Sequence, residues 1–425
     1  MFRFIHSADW QLGARFSQFG GKGARLREAR LETLDRTLQL AEKHAADAFL
    51  VAGDLFEDNQ VEDALVERVV SLFGAHPQLP VYILPGNHDA ASGPDSVWHR
   101  KAFLNAPANV HVLLEAGVTD LGANTFLLAS PLHQKLSPTD PSLKLVDLAA
   151  GLPVDAIKLG LTHGALAIEA KHQPNDFPIA LNAASRAGLD YLAIGHWHNW
   201  LPDTDGGRIV MPGTPEPDRF INDASGHVAL VEIPGAGQAP QVKPLRVATF
   251  DWRELVFDFH AAEASRASLA ATLAELTPKA AHTVLRVKLT GTATPTAVAE
   301  LRAWLDSVLA PFLVSQLVDQ SRIALSAIEQ ADLQARHPIL AQVLADIDRL
   351  ETFAGGTVAT VDSESESKSK IENPKSKISS AQAELSLADA QALLGSAKID
   401  LTQLTPEFFA QLRQTVFQTL QEVSA

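Results

Sequence analysis

One pattern recurs through the first half of this chain: a short hydrophobic strand runs into a polar cluster that often contains glycine. Predicted strands at Met1–Ser7, Ala48–Ala52 and Val81–Leu84 follow this pattern, and helical spacing separates them at Ala24–His44 and Val61–Phe73. Open α/β sheets place ligand sites just outside the carboxyl ends of their strands. The sequence therefore predicts an α/β sheet protein whose polar clusters meet at one edge.

Further strands are predicted at Thr125–Ala129, Ala156–Thr162 and Tyr191–Ile194, and the last two again run into polar residues. Downstream, Arg208–Met211 and Val228–Glu232 have the composition of hairpin strands. The strand pattern thus extends well into the second half of the chain.

Five polar clusters carry the predicted chemistry. Carboxylate, amide and imidazole groups bind divalent metal ions, and two ions roughly 3.5–4 Å apart need a ligand that bridges them. Asp54 is the natural bridge, because a carboxylate has two oxygen atoms to share. Gly-Asp or His-x-His alone usually marks a turn or a surface pair, but packing does not explain all five clusters in this order. The clusters are Asp9-Trp10-Gln11, Gly53-Asp54, Gly86-Asn87-His88-Asp89, Thr162-His163-Gly164 and Gly195-His196-Trp197-His198.

Composition narrows the ligand types and the setting. The chain has no cysteine, which excludes disulfides, zinc–thiolate sites, iron–sulfur clusters and cysteine nucleophiles. A metal held by His, carboxylate, amide or water can be manganese, iron, zinc or magnesium. The net charge of −15 counts weakly against sequence-independent DNA binding by this chain alone.

Location follows from two features of the sequence. No run of roughly 18 apolar residues occurs, so no membrane span is expected. The first residues have too few apolar side chains for a secretion signal, and cleavage of one would remove the candidate ligand Asp9. We therefore expect a cytoplasmic protein.

Changes in composition predict five segments. Gly235–Pro244 is rich in Gly and Pro and marks a boundary, and the alternation of Ser with charge after Ser363 cannot offset its ordering entropy by burial. The predicted segments are a metal-site domain at 1–245, a small α/β cap domain at 250–330, a helix at 331–355, a disordered linker at 356–384 and a C-terminal helical segment at 385–425.

Within the cap, Thr294 is expected to cap a helix at Pro295–Leu309. In the C-terminal segment, Leu387–Leu394 and Pro406–Val423 are predicted helices, the second with an apolar side. That side suits either a partner's groove or coiled coil, or packing back onto the chain's own cap. Both alternatives remain open from the sequence.

The order of the polar clusters resembles that of the calcineurin-like metallophosphoesterase superfamily. The exact residues of three motifs resemble SbcD-type DNA repair nucleases, and among them a YhaO-like branch. These motifs are Ile5–Gly13, Ala52–Phe56 and Pro212-Gly213-Thr214. The specific motifs span residues 5 to about 214. The resemblance implies a four-layer α/β/β/α metallophosphoesterase sandwich with a small α/β cap domain and C-terminal helices.

The resemblance also implies roles for individual residues. One metal ion would be bound by Asp9, Asp54 and His198, and the other by Asp54, Asn87, His163 and His196. His88 would protonate the leaving oxygen or steady the transition state, and Asp89 would orient His88. The sequence departs from the family at Gln11, where His is usual; a Gln oxygen binds a hard cation more weakly than imidazole binds zinc or manganese. Glu57 occupies a position where some relatives have His or Asp.

Residues around the motifs have two interpretations each. Trp10 and Trp197 either stack on a base or wall the pocket. Arg15 lies in a basic cluster with Lys22, Arg25, Arg27 and Arg30, which either contacts phosphates or forms a solvated helix face. Arg219 either reaches a phosphate or forms a salt bridge. His6 is expected to be a hydrogen-bonded core histidine or to support a ligand.

These features predict a manganese-dependent two-metal phosphodiesterase that hydrolyses DNA as an exonuclease, with or without endonuclease activity, in DNA repair. The SbcD resemblance implies an SMC-like, SbcC-type ATPase as partner, and relatives commonly form homodimers. One alternative is a phosphatase or phosphodiesterase for a small molecule or nucleotide. Another is a weakly active subunit that scaffolds an ATPase; Gln11 is the residue that favours it.

Overall fold

The computed structural model describes residues 1–169, 173–220, 224–323 and 327–363, and the helical positions 408, 409, 412, 415 and 416. The strands are β1 Phe2–Ser7, β2 Ala48–Ala52, β3 Val81–Leu84, β4 Val110–Val112, β5 Gly117–Asp120, β6 Thr125–Ser130, β7 Ile157–His163, β8 Tyr191–Gly195, β9 Leu201–Thr204, β10 Ile209–Met211, β11 His227–Ile233, β12 Gln241–Arg246, β13 Asp251–Asp258, β14 Thr283–Thr290, β15 Thr292–Ala293, β16 Val314–Asp319 and β17 Arg322–Ile323. The α-helices are α1 Gly23–Lys43, α2 Asp63–Gly74, α3 Lys101–Leu104, α4 Leu143–Ala150, α5 Ala183–Arg186, α6 Ala262–Leu276, α7 Pro295–Leu309, α8 Ala327–Arg336 and α9 Pro338–Ser363. Short 3-10 segments lie at Ser17–Lys22, Val97–His99, Phe259–Ala261 and Thr277–His282.

The chain divides into two compact units. The first comprises Met1–Arg253 and Lys279–Leu285, and the second comprises Glu254–Pro278 and the chain from Arg286 onward. The first unit therefore ends later than the boundary predicted at residue 245.

The first unit contains two six-stranded sheets. One has the order β12-β11-β1-β2-β3-β4, in which β1 to β4 are parallel and β11 pairs antiparallel with both β1 and β12. The other has the order β5-β6-β7-β8-β10-β9, with β6, β7, β8 and β10 parallel. Parallel strands point their carboxyl ends toward the same edge, so each sheet collects its strand-end loops on one side.

Alternation along the strands divides the buried side chains between two faces. On β1, Phe4 packs between the sheets beside Leu50 and Leu159, whereas Ile5 faces α1 and α2 on the opposite side. Helices α4 and α5 cover the outer face of the second sheet. The predicted four-layer α/β/β/α metallophosphoesterase sandwich is therefore confirmed.

Each segment predicted as a hairpin strand pairs antiparallel with a strand adjacent to it in sequence, β10 with β9 and β11 with β12. The segment predicted at Arg208–Met211 forms β10, which pairs with β8 and β9 in the second sheet. The segment predicted at Val228–Glu232 forms β11 in the first sheet. Four consecutive residues of β11, Val228–Val231, are buried, which requires cover on both faces of the strand. The position of β11 between β1 and β12 provides that cover.

The second unit contains helices α6 and α7, strand β16 and the later residues of β13 and β14, which together form the three-stranded sheet β13-β14-β16 in the region predicted as a small α/β cap. Helix α7 begins as predicted: the Thr294 hydroxyl oxygen accepts a hydrogen bond from Ala297 N at 3.2 Å, and Pro295 occupies the first turn. A pair of two-residue strands, β15 and β17, completes the α/β part of this unit.

Two helices replace the single helix predicted at 331–355. Helix α8 ends at Arg336 and α9 starts at Pro338, because proline lacks an N–H and disfavours helical geometry in the residue before it. Helix α9 extends to Ser363, so the predicted linker at 356–384 begins within a helix; its first residues are apolar, and the Ser-charge alternation starts only at Ser363. The rest of that linker and the predicted helix Leu387–Leu394 lie outside the described residues.

The apolar side predicted for the C-terminal segment packs on this chain. Phe409 and Val416 are buried in a cluster with Leu344 and Ile347 of α9 and with Leu333 of α8. The described part of this side thus contacts its own helices rather than the cap sheet. Among the described residues, no helix has the length and apolar character that a membrane span requires.

Candidate metal centre

The predicted ligands lie at the carboxyl ends of five parallel strands. Asp9 follows β1, Asp54 follows β2 and Asn87 follows β3, all in the first sheet. His163 is the last residue of β7, and the segment of His196 and His198 follows β8, both in the second sheet. The two sheets therefore contribute from opposite sides to one site.

Four of these side chains converge closely. His163 Nε2 lies 3.0 Å from Asn87 Oδ1 and 3.4 Å from Asp54 Oδ2. His196 Nδ1 lies 3.1 Å from the same Asn87 oxygen and 3.4 Å from His163 Nε2. This group corresponds to the second predicted ion.

The opposite side of the site contains Asp9 and Gln11. Asp9 Oδ2 accepts a hydrogen bond from His196 N at 3.0 Å, and Gln11 Nε2 donates to Asp54 Oδ2 at 3.0 Å. Asp9, Gln11 and Asp54 all have left-handed backbone conformations, with φ of 53°, 46° and 53°. Non-glycine residues adopt this conformation at an energetic cost, and such strain is concentrated at functional sites.

Glycines allow the loops to approach one another. A Cβ at Gly53 would lie 2.1 Å from His163 Nδ1, and a Cβ at Gly86 would lie 2.1 Å from Asp54 Oδ1. Gly53 also has φ of 87°. Any side chain at either position would therefore displace a predicted ligand.

Each candidate histidine ligand has one ring nitrogen occupied by a protein oxygen. His163 Nδ1 lies 2.8 Å from Ala52 O, and His198 Nδ1 lies 2.8 Å from Asp218 Oδ2. His196 has the reverse arrangement, with Nε2 2.9 Å from Asp176 Oδ2. A histidine that donates from one nitrogen presents the lone pair of the other, which is how supporting oxygens orient metal ligands.

The charges of the site favour a cation. Burial raises the pKa of Asp54, but the charge and hydrogen bond of His163 and the contacts of His88 outweigh burial and hold that pKa below its ordinary value. Burial opposes protonation of His163, yet Asp54 and Asp9 together raise its pKa to about 9. An ionised carboxylate among imidazoles attracts a divalent ion, which displaces the imidazole proton on binding.

The donor set fits divalent metal binding. Ligand atoms of Asp9, Asp54 and His163, all three buried, lie within 4.8 Å of one another. Within the described part of the chain, Asp9 Oδ1 and Gln11 Oε1 are buried without a hydrogen-bond partner. An unsatisfied buried polar atom costs about 1–3 kcal/mol, and a bound cation would remove that cost.

His88 lies at the site, but its partner differs from the prediction. His88 Nδ1 lies 2.8 Å from Glu57 O, and His88 N donates to Asp54 Oδ1 at 2.9 Å. Asp89 instead accepts from Gly86 N at 2.7 Å and from Phe56 N at 3.0 Å. Burial and the charge of Asp54 raise the pKa of Asp89 to about 7. Asp89 therefore fixes the loop backbone, and the Glu57 carbonyl orients His88.

The predicted substrate-contacting residues have mixed positions. Trp10 is fully buried in the core and donates to Ser7 Oγ at 3.0 Å, so its proposed stacking on a base is wrong; its strand-end position gave no sign of burial beneath α1. Trp197 is partly buried against the core of the second sheet. Arg15 is exposed, and Arg219 is exposed and pairs with Asp218 at 3.4 Å, as the salt-bridge interpretation predicted.

Sequence reasoning missed three charged residues near the site. Asp176 and Asp218 contact the predicted ligands His196 and His198, and Arg30 is buried with Nη1 2.6 Å from Trp10 O. Asp176 lies in a loop without a motif. Asp218 follows the Pro212-Gly213-Thr214 turn, which was the available clue to its position. Arg30 was assigned to a surface cluster.

Comparisons with known proteins agree with this geometry. Residues 2–200 match the family described as calcineurin-like phosphoesterase. The SbcD chain of the SbcCD nuclease of Escherichia coli strain K12 is 34% identical over 110 residues, which cover 24% of this chain and 25% of that protein. The chain thus spans about a quarter of the length of this relative in the match.

A longer match links the chain to the uncharacterized metallophosphoesterase YhaO of Bacillus subtilis strain 168. The two are 21% identical over 366 residues, covering 81% of this chain and 87% of YhaO. A crystal structure of a dimetal phosphatase from Danio rerio is 12% identical, covers 57% of this chain and 98% of its own, and has a TM-score of 0.35.

The family match covers strands β1 to β8, and the ends of β1, β2 and β7 carry the buried Asp9, Asp54 and His163 cluster. The SbcD and YhaO similarities fall in the same superfamily. Residues 2–200, just under half of the chain, therefore form a calcineurin-like metallophosphoesterase domain.

Proposed function

We propose that this chain is a two-metal phosphodiesterase that hydrolyses DNA as an exonuclease, with or without endonuclease activity, in cytoplasmic DNA repair. The observation that carries the hydrolytic part is the convergence of Asp54, Asn87, His163 and His196 within hydrogen-bonding distances. Support for DNA as substrate comes from the similarity to one chain of the SbcCD nuclease.

The proposed ions are manganese, with iron, zinc or magnesium as alternatives. Asp9, Gln11, Asp54 and His198 would hold one, and Asp54, Asn87, His163 and His196 the other. When bound, such a pair lowers the pKa of water toward about 7 and offsets charge on the scissile phosphate.

His88 is the proposed general acid. Its Nδ1 faces the Glu57 carbonyl, so a proton on Nδ1 leaves Nε2 as the nitrogen that can exchange a proton with substrate. The side chain is partly exposed, which gives a leaving oxygen access to it. Its backbone N–H donates to Asp54 Oδ1, which fixes His88 relative to the proposed bridging ligand.

The proposed partners are DNA and an SbcC-type, SMC-like ATPase, with a homodimer as the proposed assembly. The name of the relative, which is one of the subunits of SbcCD, supports a partner chain. Packing of Phe409 and Val416 against α8 and α9 places the described apolar positions of the C-terminal segment within this chain. Docking to an ATPase would therefore use other surfaces or displace this segment.

A small-molecule or nucleotide phosphodiesterase is the second candidate. The net charge of −15 favours it over a nuclease that acts alone, because polyanionic DNA is repelled by acidic protein surfaces. A weakly active scaffold is the third, and Gln11 supports it.

The test is nucleotide release from linear double-stranded DNA with manganese, comparing wild type with His88→Ala. We expect cleavage by wild type and a loss of about 10²-fold or more in the variant, as for removal of a general acid. His99→Ala is the matched control, since His99 is an exposed histidine of the segment Val97–His99 and should retain full activity.

Each other outcome identifies an alternative. Cleavage of bis-nitrophenyl phosphate without cleavage of DNA, also when an SbcC-type ATPase is added, would favour the small-molecule enzyme. Inactivity on both substrates with and without the ATPase would favour the scaffold. DNA cleavage that His88→Ala leaves unchanged would remove His88 from the mechanism.

A further inference from the structure

We propose that Asp218 is a positioning residue that strengthens His198 as a metal ligand and compensates for the weak ligand Gln11. The inference rests on the proposed two-metal site but not on the identity of the substrate. It assigns a role to a carboxylate outside the predicted ligand set and connects it to the position where this chain departs from its family.

The geometry of the pair gives the first argument. Asp218 Oδ2 lies 2.8 Å from His198 Nδ1, so this nitrogen donates and His198 Nε2 is left as the coordinating atom. Both side chains are only 11% exposed, which limits competition from water. A carboxylate that accepts from a histidine makes the opposite nitrogen a stronger donor to a metal. His163, by contrast, is supported by the neutral carbonyl of Ala52.

Gln11 supplies the reason why compensation is needed. Its Nε2 donates to Asp54 Oδ2, which draws electron density from the proposed bridging carboxylate. Its Oε1 is a neutral oxygen and is a weaker ligand than imidazole for a transition metal. The side of the site with Asp9 and Gln11 therefore depends more on His198 than a site with a histidine at position 11 would.

Arg30 gives a second reason why Asp218 matters. This buried guanidinium donates to Trp10 O at 2.6 Å, between the candidate ligands Asp9 and Gln11. A fixed positive charge at this place opposes the binding of a cation. Asp218 and Glu216 lie close enough to Arg30 to interact with its charge, so removal of Asp218 would leave more of that charge acting on the site.

The chain just before Asp218 is fixed at Thr214 and at Glu216. Thr214 N donates to His198 O at 3.0 Å. The buried Glu216 accepts from Thr33 Oγ1 and Thr249 N, both at 2.7 Å, and from Phe250 N at 2.9 Å. These contacts fix the chain up to two residues before Asp218 without a bound metal, as a positioning role for Asp218 requires.

The experiment measures manganese binding to the chelator-treated full-length protein by calorimetry, without substrate. Wild type is expected to bind two ions, and Asp218→Asn to weaken one of them by about 10- to 100-fold while the other is unchanged. Asp176→Asn is the matched control, because Asp176 supports His196 and should weaken the other ion. Asp218→Glu should restore part of the lost affinity, and circular dichroism should show that the variants are folded.

The compensation itself is tested in a Gln11→His background. In that background, the fold-loss of manganese affinity caused by Asp218→Asn should be at least several times smaller than it is in wild type. Two ions with affinities within about twofold of wild type in folded Asp218→Asn would overturn the inference while leaving the proposed function intact. An equal loss in both backgrounds would overturn compensation. Absence of manganese binding by wild type would contradict the proposed two-metal function as well.

Discussion

The two sheets of the first unit contribute different chemistry to the same site. Strands β1, β2 and β3 of the first sheet end at the predicted oxygen ligands Asp9, Asp54 and Asn87, whereas the second sheet carries predicted imidazole ligands such as His163 and His196. Oxygen ligands bring the negative charge that attracts a cation. Imidazole ligands are neutral when they bind and need a partner that selects the correct nitrogen.

This division is also visible in the backbone. The loops of the first sheet are strained and bonded to each other: Asp9 N donates to Gly53 O and Gln11 N to Asp54 O, both at 3.1 Å. The second sheet connects to them through side chains, as His163 Nδ1 does with Ala52 O at 2.8 Å. In the first sheet, backbone geometry therefore fixes the positions of the charged carboxylates. In the second sheet, supporting side chains and carbonyls determine which ring nitrogen of each histidine is free to bind a metal.

Substitution of a ligand from each sheet should separate the two contributions. Asp54→Asn removes the charge proposed to serve both ions, and we expect loss of both and a fall in phosphodiester cleavage on the order of 10³-fold. His163→Gln should remove affinity for one ion. Elemental analysis and cleavage of bis-nitrophenyl phosphate measure both effects.

The matched comparison decides whether the sheets differ. Asp54→Asn should lose both ions, whereas His163→Gln should retain the ion beside Asp9. Equal metal content in the two variants would contradict a bridging role for Asp54. Thermal unfolding of the metal-free forms would distinguish this result from a general loss of structure.

A smaller effect is expected where a carboxylate fixes a site loop. Asp89 accepts hydrogen bonds from Gly86 N and Phe56 N, and Asp89→Asn leaves one of these donors facing an amide N–H. We expect a loss of about 1–3 kcal/mol in the free energy of unfolding, measured in urea. The same variant should weaken metal binding, because Asn87 lies in the loop that Asp89 holds.

Asp190 is the matched control in the second sheet. It is buried and accepts from Lys158 N at 2.9 Å and from Gly237 N at 2.6 Å, but it precedes β8 and so lies at the amino end of the strands. Asp190→Asn should destabilise the protein similarly and leave metal affinity unchanged. Weakened metal binding in both variants would show that stability, rather than loop position, sets the affinity.

Local signals explain how much of the fold the sequence predicted. Strands Ala48–Ala52 and Val81–Leu84 and helix Pro295–Leu309 have the predicted bounds, because apolar runs and a capping residue end them sharply. Edge strands such as Gly117–Asp120 and Gln241–Arg246 were missed. They are largely exposed and lack an apolar pattern, and their pairing depends on a neighbour distant in sequence.

The residues of the candidate site also divide into those that local sequence signals predict and those that depend on the folded structure. The ligand positions follow strands directly, so a one-dimensional pattern contains them. Asp176 and Asp218 come from loops whose course depends on the folded sheets, and no spacing rule connects them to His196 or His198. The burial of Trp10, and of Arg30 on α1, likewise depends on how the helix packs on the sheet, which periodicity alone does not specify.

The smallest predicted effect concerns the contact between the sheets. His6 Nδ1 on β1 lies 2.9 Å from the Tyr191 hydroxyl on β8, and burial lowers the pKa of His6 to about 3. The unfolded chain binds a proton at His6 below pH about 6.5, whereas the folded chain does not. Stability from this group is therefore complete above that pH and is lost as the pH falls toward 3.

His6→Gln isolates this contribution, because an amide can still bond to Tyr191 but does not titrate. Between pH about 7.5 and pH about 5.5, the loss in unfolding free energy should be about 1 kcal/mol smaller in His6→Gln than in wild type. His99→Gln, an exposed histidine, should keep the wild-type pH dependence. If both variants lose stability as wild type does, His6 is protonated inside the folded protein. The contact between the sheets would then accommodate a protonated histidine without a carboxylate beside it. At the candidate metal site, by contrast, it is carboxylates that raise the pKa of His163.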